Sequence, residues 1–176
     1  MNEWKVSAIG SWYFIGWCTT LIWLPALADK YGRKYLLWAG LITITICYAI
    51  MLFTESLLVM SIVIFIQGMV TSLRVNVGYV YMMELMPRSV QTQMTTFWCS
   101  IDALIYLFAS VYFWKISKDA KYFELVGLIW VTISCILIYW LPESPRYLVS
   151  TGNLERAEAV FKYIARWNGK QLSWDP

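Results

Sequence analysis

Long apolar runs separated by short charged loops set the pattern of this chain. Residues 6–28 carry no charge, and neither do residues 35–54. Each run has about the 20 residues that a helix needs to cross a bilayer. The alternation predicts five spanning helices, over 6–27, 35–53, 57–86, 93–114 and 125–141. Thr54-Glu55-Ser56 is too short for anything but a turn between antiparallel neighbours. Pro87-Arg88-Ser89 and Pro142 stop two of the other helices.

The tail follows a different period. Leu154, Ala157, Val160, Phe161 and Ile164 recur at helical spacing, with Glu158 and Lys162 as an i,i+4 pair on the other side. Asn153 stands at an N-cap position and Asn168-Gly169 reads as a C-cap signal. The predicted organisation is therefore a five-helix membrane bundle over residues 1–141. A surface linker with an amphipathic helix follows over residues 142–176.

Charge sets the expected orientation. The loops after the first, third and fifth runs hold nine of the 14 Lys and Arg residues, the opposite side holds four, and Arg74 is intramembrane. The basic side faces the cytoplasm by the positive-inside rule, which puts the N-terminus outside. Composition agrees with the membrane class: 60% of residues are hydrophobic and only 14% are charged, against about 25% charged in soluble domains. The basic residues sit at run boundaries and form no face, which gives no case for nucleic acid.

The chemistry available is narrow. Cys18, Cys47, Cys99 and Cys135 lie one per apolar run, at no metal or redox spacing, and there is no histidine. No nucleophile–base pair, metal cluster or cofactor loop supports an enzyme, and no cofactor is expected. Of the eleven Trp residues, Trp38, Trp98, Trp114 and Trp140 fall near expected helix ends, as in an interfacial aromatic belt.

Two ionisable groups interrupt the apolar runs. Ionisable groups in a membrane are costly and are functional candidates by default. Arg74 and Asp102 lie roughly 14 Å from the same surface on successive helices, at 1.5 Å rise per residue. Equal depth predicts an Arg74–Asp102 pair, either as a link between helices or as part of a substrate or coupling site. Gln67, Thr71 and Tyr81 on one helix, and Cys99 and Tyr106 on the other, flank them at helical spacing as possible cavity lining. At the basic surface three opposite-charge pairs are expected: Asp29 with Arg33, Glu84 with Arg88, and Glu143 with Arg146, with Lys34 adjacent. Such a network could hold helix ends in one of two arrangements. Gly32, inside this cluster, reads as a tight turn at the membrane edge.

Four motifs carry a family resemblance. Leu27-Ala28-Asp29, with Gly32-Arg33-Lys34, resembles the loop between the second and third helices of the major facilitator superfamily, with Pro25 in place of the family's opening Gly. Pro142-Glu143-Ser144-Pro145-Arg146-Tyr147-Leu148 looks like the P-E-S-P-R-W-L signature of its sugar and organic-ion branches. Gln67-Gly68-Met69-Val70, Gly78-Tyr79-Val80 and Glu84 are similar to the fourth helix of the organic cation/anion branch. The segments 153–157 and 164–170 resemble that branch's linker helix. Two positions depart: Ile64 stands where the family carries an Arg, and the basic cluster after Glu84 is thinned to Arg88.

The resemblance implies an all-α membrane protein matching helices two to six and the linker helix of a twelve-helix carrier. It also implies that Asp29, Arg33, Glu84, Glu143 and Arg146 take the family's surface-network roles. A missing first helix should leave an apolar groove, and at least one further membrane chain is expected beside the lipid bilayer. One function expected is a partial transporter module for small organic ions or sugars that needs other chains. The other is a transporter-derived structural subunit of a larger complex that moves nothing. The membrane is the plasma membrane by resemblance, or an intracellular one such as the mitochondrial inner membrane.

Overall fold

The computed structural model describes residues 3–116 and 119–168. Gly169 of the expected C-cap, and Lys118 and Lys170 of the charge count, lie outside them. The described residues form helices and no strand. In order these are α1 (Glu3–Leu21), α2 (Leu24–Tyr31), α3 (Arg33–Phe53) and α4 (Leu57–Ser72), then a π-turn (Leu73–Val77) and α5 (Gly78–Leu85). After α6 (Arg88–Val111) comes a second π-turn (Tyr112–Ile116), then α7 (Ala120–Trp140), α8 (Pro145–Ser150) and α9 (Leu154–Trp167).

Four continuous helical segments among the described residues are long and apolar enough to cross a membrane: Arg33–Phe53, Leu57–Leu85, Arg88–Ile116 and Ala120–Trp140. The expected first span of 6–27 is instead two helices. Pro25 lacks the N–H that an unbroken helix would use, and its ring would clash with the carbonyl of Leu21. The chain therefore turns at Ile22 and Trp23 and restarts, with Pro25 in the first turn of α2, where a missing N–H costs nothing.

Other boundaries also moved, each for a local reason. Asp119 caps α7, its carboxylate accepting the Lys121 N–H at 3.1 Å, so the helix starts five residues before position 125. The extended Met86 and Pro87 break the chain before α6, and Arg88 is already helical. The short α8 has no apolar period to announce it. Ser144 caps it, accepting the Tyr147 N–H at 3.3 Å. Gly152, at φ +78°, ends it with paired bonds from Asn153 N–H to Leu148 O (2.9 Å) and from Gly152 N–H to Val149 O (3.1 Å). That is a Schellman closure, which needs a left-handed residue. In α9 the Asn153 side chain makes no cap bond, although Asn153 occupies the N-cap position. Glu158 and Lys162 do pair, at 2.5 Å.

The bundle is organised by three contacts. α1 packs along α4, and α3 packs on both α4 and α7. The α1–α4 crossing is very close. A Cβ on Gly16 would overlap the carbonyl of Phe65, and one on Gly68 would overlap the carbonyl of Tyr13. In a membrane, where lipid is as apolar as the side chains, small residues that let backbones approach supply the association. By contrast α6 buries no residue; it touches the bundle through α5.

Candidate functional site

The charged ends of α2, α3, α5, α7 and α8 meet in one polar cluster. Arg33, the first residue of α3, is its centre. One guanidinium nitrogen contacts Asp29 Oδ1 at 3.1 Å, and the other pairs with Glu84 Oε1. The burial is asymmetric: the Arg33 side chain is 16% exposed, Glu84 5% and Asp29 69%. The Arg33–Glu84 pair is thus largely out of water, where losing one partner strands a charge. Arg33–Asp29 is an exposed i,i+4 pair of small net effect.

Ser144 extends the cluster. Its hydroxyl donates to Glu84 Oε2 at 2.6 Å, and its N–H donates to Glu143 Oε1 at 3.0 Å. The same Glu143 oxygen accepts the Lys34 N–H at 3.0 Å. That N–H lies in the first turn of α3, which has no helical partner for it. Glu143 therefore caps α3 from another segment and places negative charge at the positive end of its dipole. Lys34 Nζ donates to the Tyr139 carbonyl at 2.9 Å, satisfying the last turn of α7. The Tyr81 hydroxyl donates to the Pro142 carbonyl, and the Tyr147 hydroxyl donates to the Lys30 carbonyl at 3.2 Å. Gly32 joins α2 to α3 at φ +91°, and a Cβ there would lie 2.9 Å from Glu143 Oε2. That second oxygen is buried without a hydrogen-bond donor.

The expected pairs are only partly those found. Asp29 and Arg33 meet. Glu84 pairs with Arg33 rather than Arg88, because the break at Met86 and Pro87 starts α6 in a new direction while Glu84 faces α3. Glu143 acts as a helix cap and makes no ion pair with Arg146. α8 buries Pro145 and Leu148, which leaves Arg146 exposed.

Arg74 and Asp102 are both exposed and form no ion pair with each other. Equal depth along two helices did not bring them together, because α6 leans on α5 only near its start. The contacts there are Gln91 Nε2 to the Met83 carbonyl (2.9 Å), Tyr79 hydroxyl to Thr95 Oγ1 (3.1 Å), and the Tyr79 ring edge-on to Trp98 (6.5 Å). Of the flanking residues, Thr71 and Tyr81 are buried in helix packing and Gln67 is half-buried. Cys99 and Tyr106 are exposed on the same side of α6 as Asp102.

Sequence reasoning placed Thr95 beside Asp102 and Ser144 and Tyr79 in motifs, but it missed their contacts and those of the glycines. Ser before Pro was a readable cap signal; the rest depend on which helices meet.

Two recesses lie among the described residues, one beside the end of α5 and one at the far end, by the start of α4. A cleft of about 380 Å³ between α5 and α6 is lined by Tyr79, Met83, Gln91, Thr92, Thr95 and Thr96. An apolar groove of about 550 Å³ runs between α1 and α4, past Trp12, Leu58, Ile62 and Phe65.

Residues 2–175 match the family model described as "Sugar (and other) transporter". The chain belongs to this family of the major facilitator superfamily. Similar curated proteins include human organic cation/carnitine transporter 2, 26% identical over 170 residues. Rat solute carrier family 22 member 2 is 24% identical over 176 residues. Monosaccharide-sensing protein 1 of Arabidopsis thaliana is 24% identical over 143 residues. These alignments cover 96%, 97% and 78% of this chain, but 30%, 31% and 20% of the respective relatives. The chain thus spans under a third of the length of these relatives, and it is an integral membrane protein of transporter type.

Proposed function

We propose that this chain is a partial transporter module for small organic ions or sugars, completed by further membrane-embedded protein. The observation that carries the reading is the position of Arg33. It ties α2 to α5, while Glu143 ties α3 to the linker before α8. A buried charge cluster joining helix ends has two stable conditions, made and broken, and that is what a rocking transporter half needs at one surface. The relatives' names, a carnitine and organic cation transporter and a monosaccharide sensor, support small polar solutes as the class.

In this reading α1 and α2 together make a fifth crossing, and the charged end faces the cytoplasm. Asp29, Arg33, Lys34, Glu84, Glu143 and Ser144 form the gate, with Arg88 and Arg146 as its exposed rim. The protein covering the α1–α4 groove and α6 is a second chain, a second copy or more of the same polypeptide. The host membrane is the plasma membrane or an intracellular one such as the mitochondrial inner membrane.

Extraction from native membranes in mild detergent, with mass determination of every co-purifying chain, tests the reading. Recovery with transporter-like helices, and solute uptake after reconstitution that Glu84→Gln abolishes, is the expected result. Recovery within a large assembly of unrelated subunits, with no uptake, would replace it by the structural-subunit reading.

A further inference from the structure

We infer that a second copy of this chain docks against α6, with Arg74 of each copy paired to Asp102 of the other. The inference rests on the reading that further membrane-embedded protein completes the chain, and it names that protein.

Both charges border one opening. The Gly78 N–H reaches back five residues to the Leu73 carbonyl, so the π-turn holds one residue more than an α-helical turn. In an unbroken α-helix Arg74 and Tyr79 would point about 140° apart. Across the extra residue they stand nearly one above the other, as an i,i+4 pair would. Tyr79 meets α6 through its hydrogen bond with Thr95, at 3.1 Å. On α6, Thr95 and Asp102 are seven residues apart and share a face to within about 20°. Beyond that contact α6 buries nothing, and Arg74 and Asp102 are both exposed.

Both residues lie within membrane-length segments, where an unneutralised charge is costly. Neither makes an ion pair among the described residues. Glu124 and Arg74 both act electrostatically on Tyr48, but they form no pair with each other.

Symmetry supplies both missing partners at once. Two copies of one chain insert with the same orientation, so the two-fold axis relating them runs along the membrane normal. Rotation about that axis preserves depth, and a residue then meets only partner residues at its own depth. By helical rise Asp102 stands about 10 Å beyond Thr95 and Arg74 about 6 Å beyond Tyr79, an offset of about 4 Å. The long, flexible arginine side chain covers that difference. If Arg74 meets the partner's Asp102, the same symmetry makes Asp102 meet the partner's Arg74. A foreign helix carrying only a cation would neutralise Asp102 and leave Arg74, and one carrying only an acid would do the reverse.

The surface beside Asp102 fits a helix. Thr92, Thr96, Cys99 and Ala103 recur at three- and four-residue spacing and are all exposed. Small side chains let membrane helices approach closely. Phe97, Ile101 and Leu104, on the opposite side, are exposed and apolar, as a lipid-facing side requires.

The test is self-association of the full chain in mild detergent, read by co-purification of two differently tagged copies. Arg74→Glu or Asp102→Arg alone sets like charges across both contacts, and each should weaken self-association about tenfold or more. Mixing the two altered chains puts opposite charges at both contacts again, and should return association to near the parent's level. A link within one copy would be restored by combining both changes in one chain, but not by mixing. Where a reversed chain fails to insert, Arg74→Gln and Asp102→Asn replace it. Their mixture keeps one of the two pairs and should associate more tightly than either variant alone. A mixture no tighter than its components would overturn the inference. So would a parent chain that never self-associates while helices of another chain co-purify with it, an outcome that leaves the completion reading standing. A parent that is monomeric and alone would overturn both.

Discussion

Gly68 on α4 lies against the carbonyl oxygen of Tyr13 on α1, with no space between them for a Cβ, and Gly16 meets Phe65 in the same way on the other side of the crossing. The obstructing atoms are backbone, so a methyl group cannot be accommodated by a side-chain rotation. Gly68→Ala and Gly16→Ala should each destabilise by about 2–3 kcal/mol, the upper part of the overpacking range. Gly10, with nothing within 4 Å of its would-be Cβ, is the control. Gly10→Ala should be neutral or stabilise by up to about 1 kcal/mol. Thermal unfolding in detergent, followed by tryptophan fluorescence, separates the three. Equal melting temperatures for Gly10→Ala and Gly68→Ala would refute the close crossing.

The two partners of Arg33 should differ sharply in their effect. Glu84 is nearly enclosed and Asp29 is open to water. Glu84→Gln leaves the guanidinium buried without its charge partner, at a cost of about 3 kcal/mol. Asp29→Asn removes an exposed i,i+4 contact, at a cost below about 0.5 kcal/mol. Chemical unfolding of both variants reads the difference. An Asp29→Asn effect as large as that of Glu84→Gln would mean that the buried pair is not the principal one.

Glu143 should behave as a cap and not as half of a salt bridge. Its Oε1 accepts the Lys34 and Ser144 N–H groups, and a glutamine oxygen accepts the same two bonds. Glu143→Gln should therefore stay within about 1 kcal/mol of the parent. Glu143→Ala leaves two partly buried N–H groups without their acceptor, and should cost about 1–3 kcal/mol. Arg146→Ala, at an exposed position, should change nothing measurable. If Glu143→Gln and Arg146→Ala were equally damaging, the two would be an ion pair after all.

How much of this was legible in the sequence depends on the range of the interaction involved. Apolar runs announce helices because burial acts on every residue of a run, so α3 and α7 were readable within a few residues. Pro87 was read as a stop and Pro25 as tolerated inside a single span, because whether a proline ends a helix or opens the next depends on one turn of local geometry. Asp119 and Ser144 act as caps in plain view of the sequence, yet each competes with alternatives that look as good. The π-turn at Leu73–Val77 has no compositional signal, and it alone decides which way Arg74 points. Charge pairing was least legible. Charges close in sequence invite pairing, as with Glu84 and Arg88, yet Glu84 finds Arg33, which is brought to it by the α2–α3 turn. The motifs identified the cluster's members and the i,i+4 spacing gave the Asp29–Arg33 pair; helix packing assigned the partners of Glu84 and Glu143.

That turn gives the most demanding prediction. Gly32 has φ +91° and ψ +151°, a region open in practice only to glycine. Its would-be Cβ also lies 2.9 Å from Glu143 Oε2 and 3.2 Å from Tyr147 Cε1. Two separate penalties therefore apply to Gly32→Ala: backbone strain of about 1–3 kcal/mol, and displacement of the carboxylate that caps α3. Gly152 carries only the first kind, since nothing lies within 4 Å of it at φ +78°, and Gly152→Ala should cost about 1–2 kcal/mol. Gly32→Ala should exceed Gly152→Ala by about the cap's value. Combining Gly32→Ala with Glu143→Ala should cost less than the sum of the two single changes, because the collision and the lost cap are the same event. A double-variant cycle by chemical unfolding measures this coupling. Strict additivity would show that the turn and the cap are independent, and that Gly32 is required for its backbone alone.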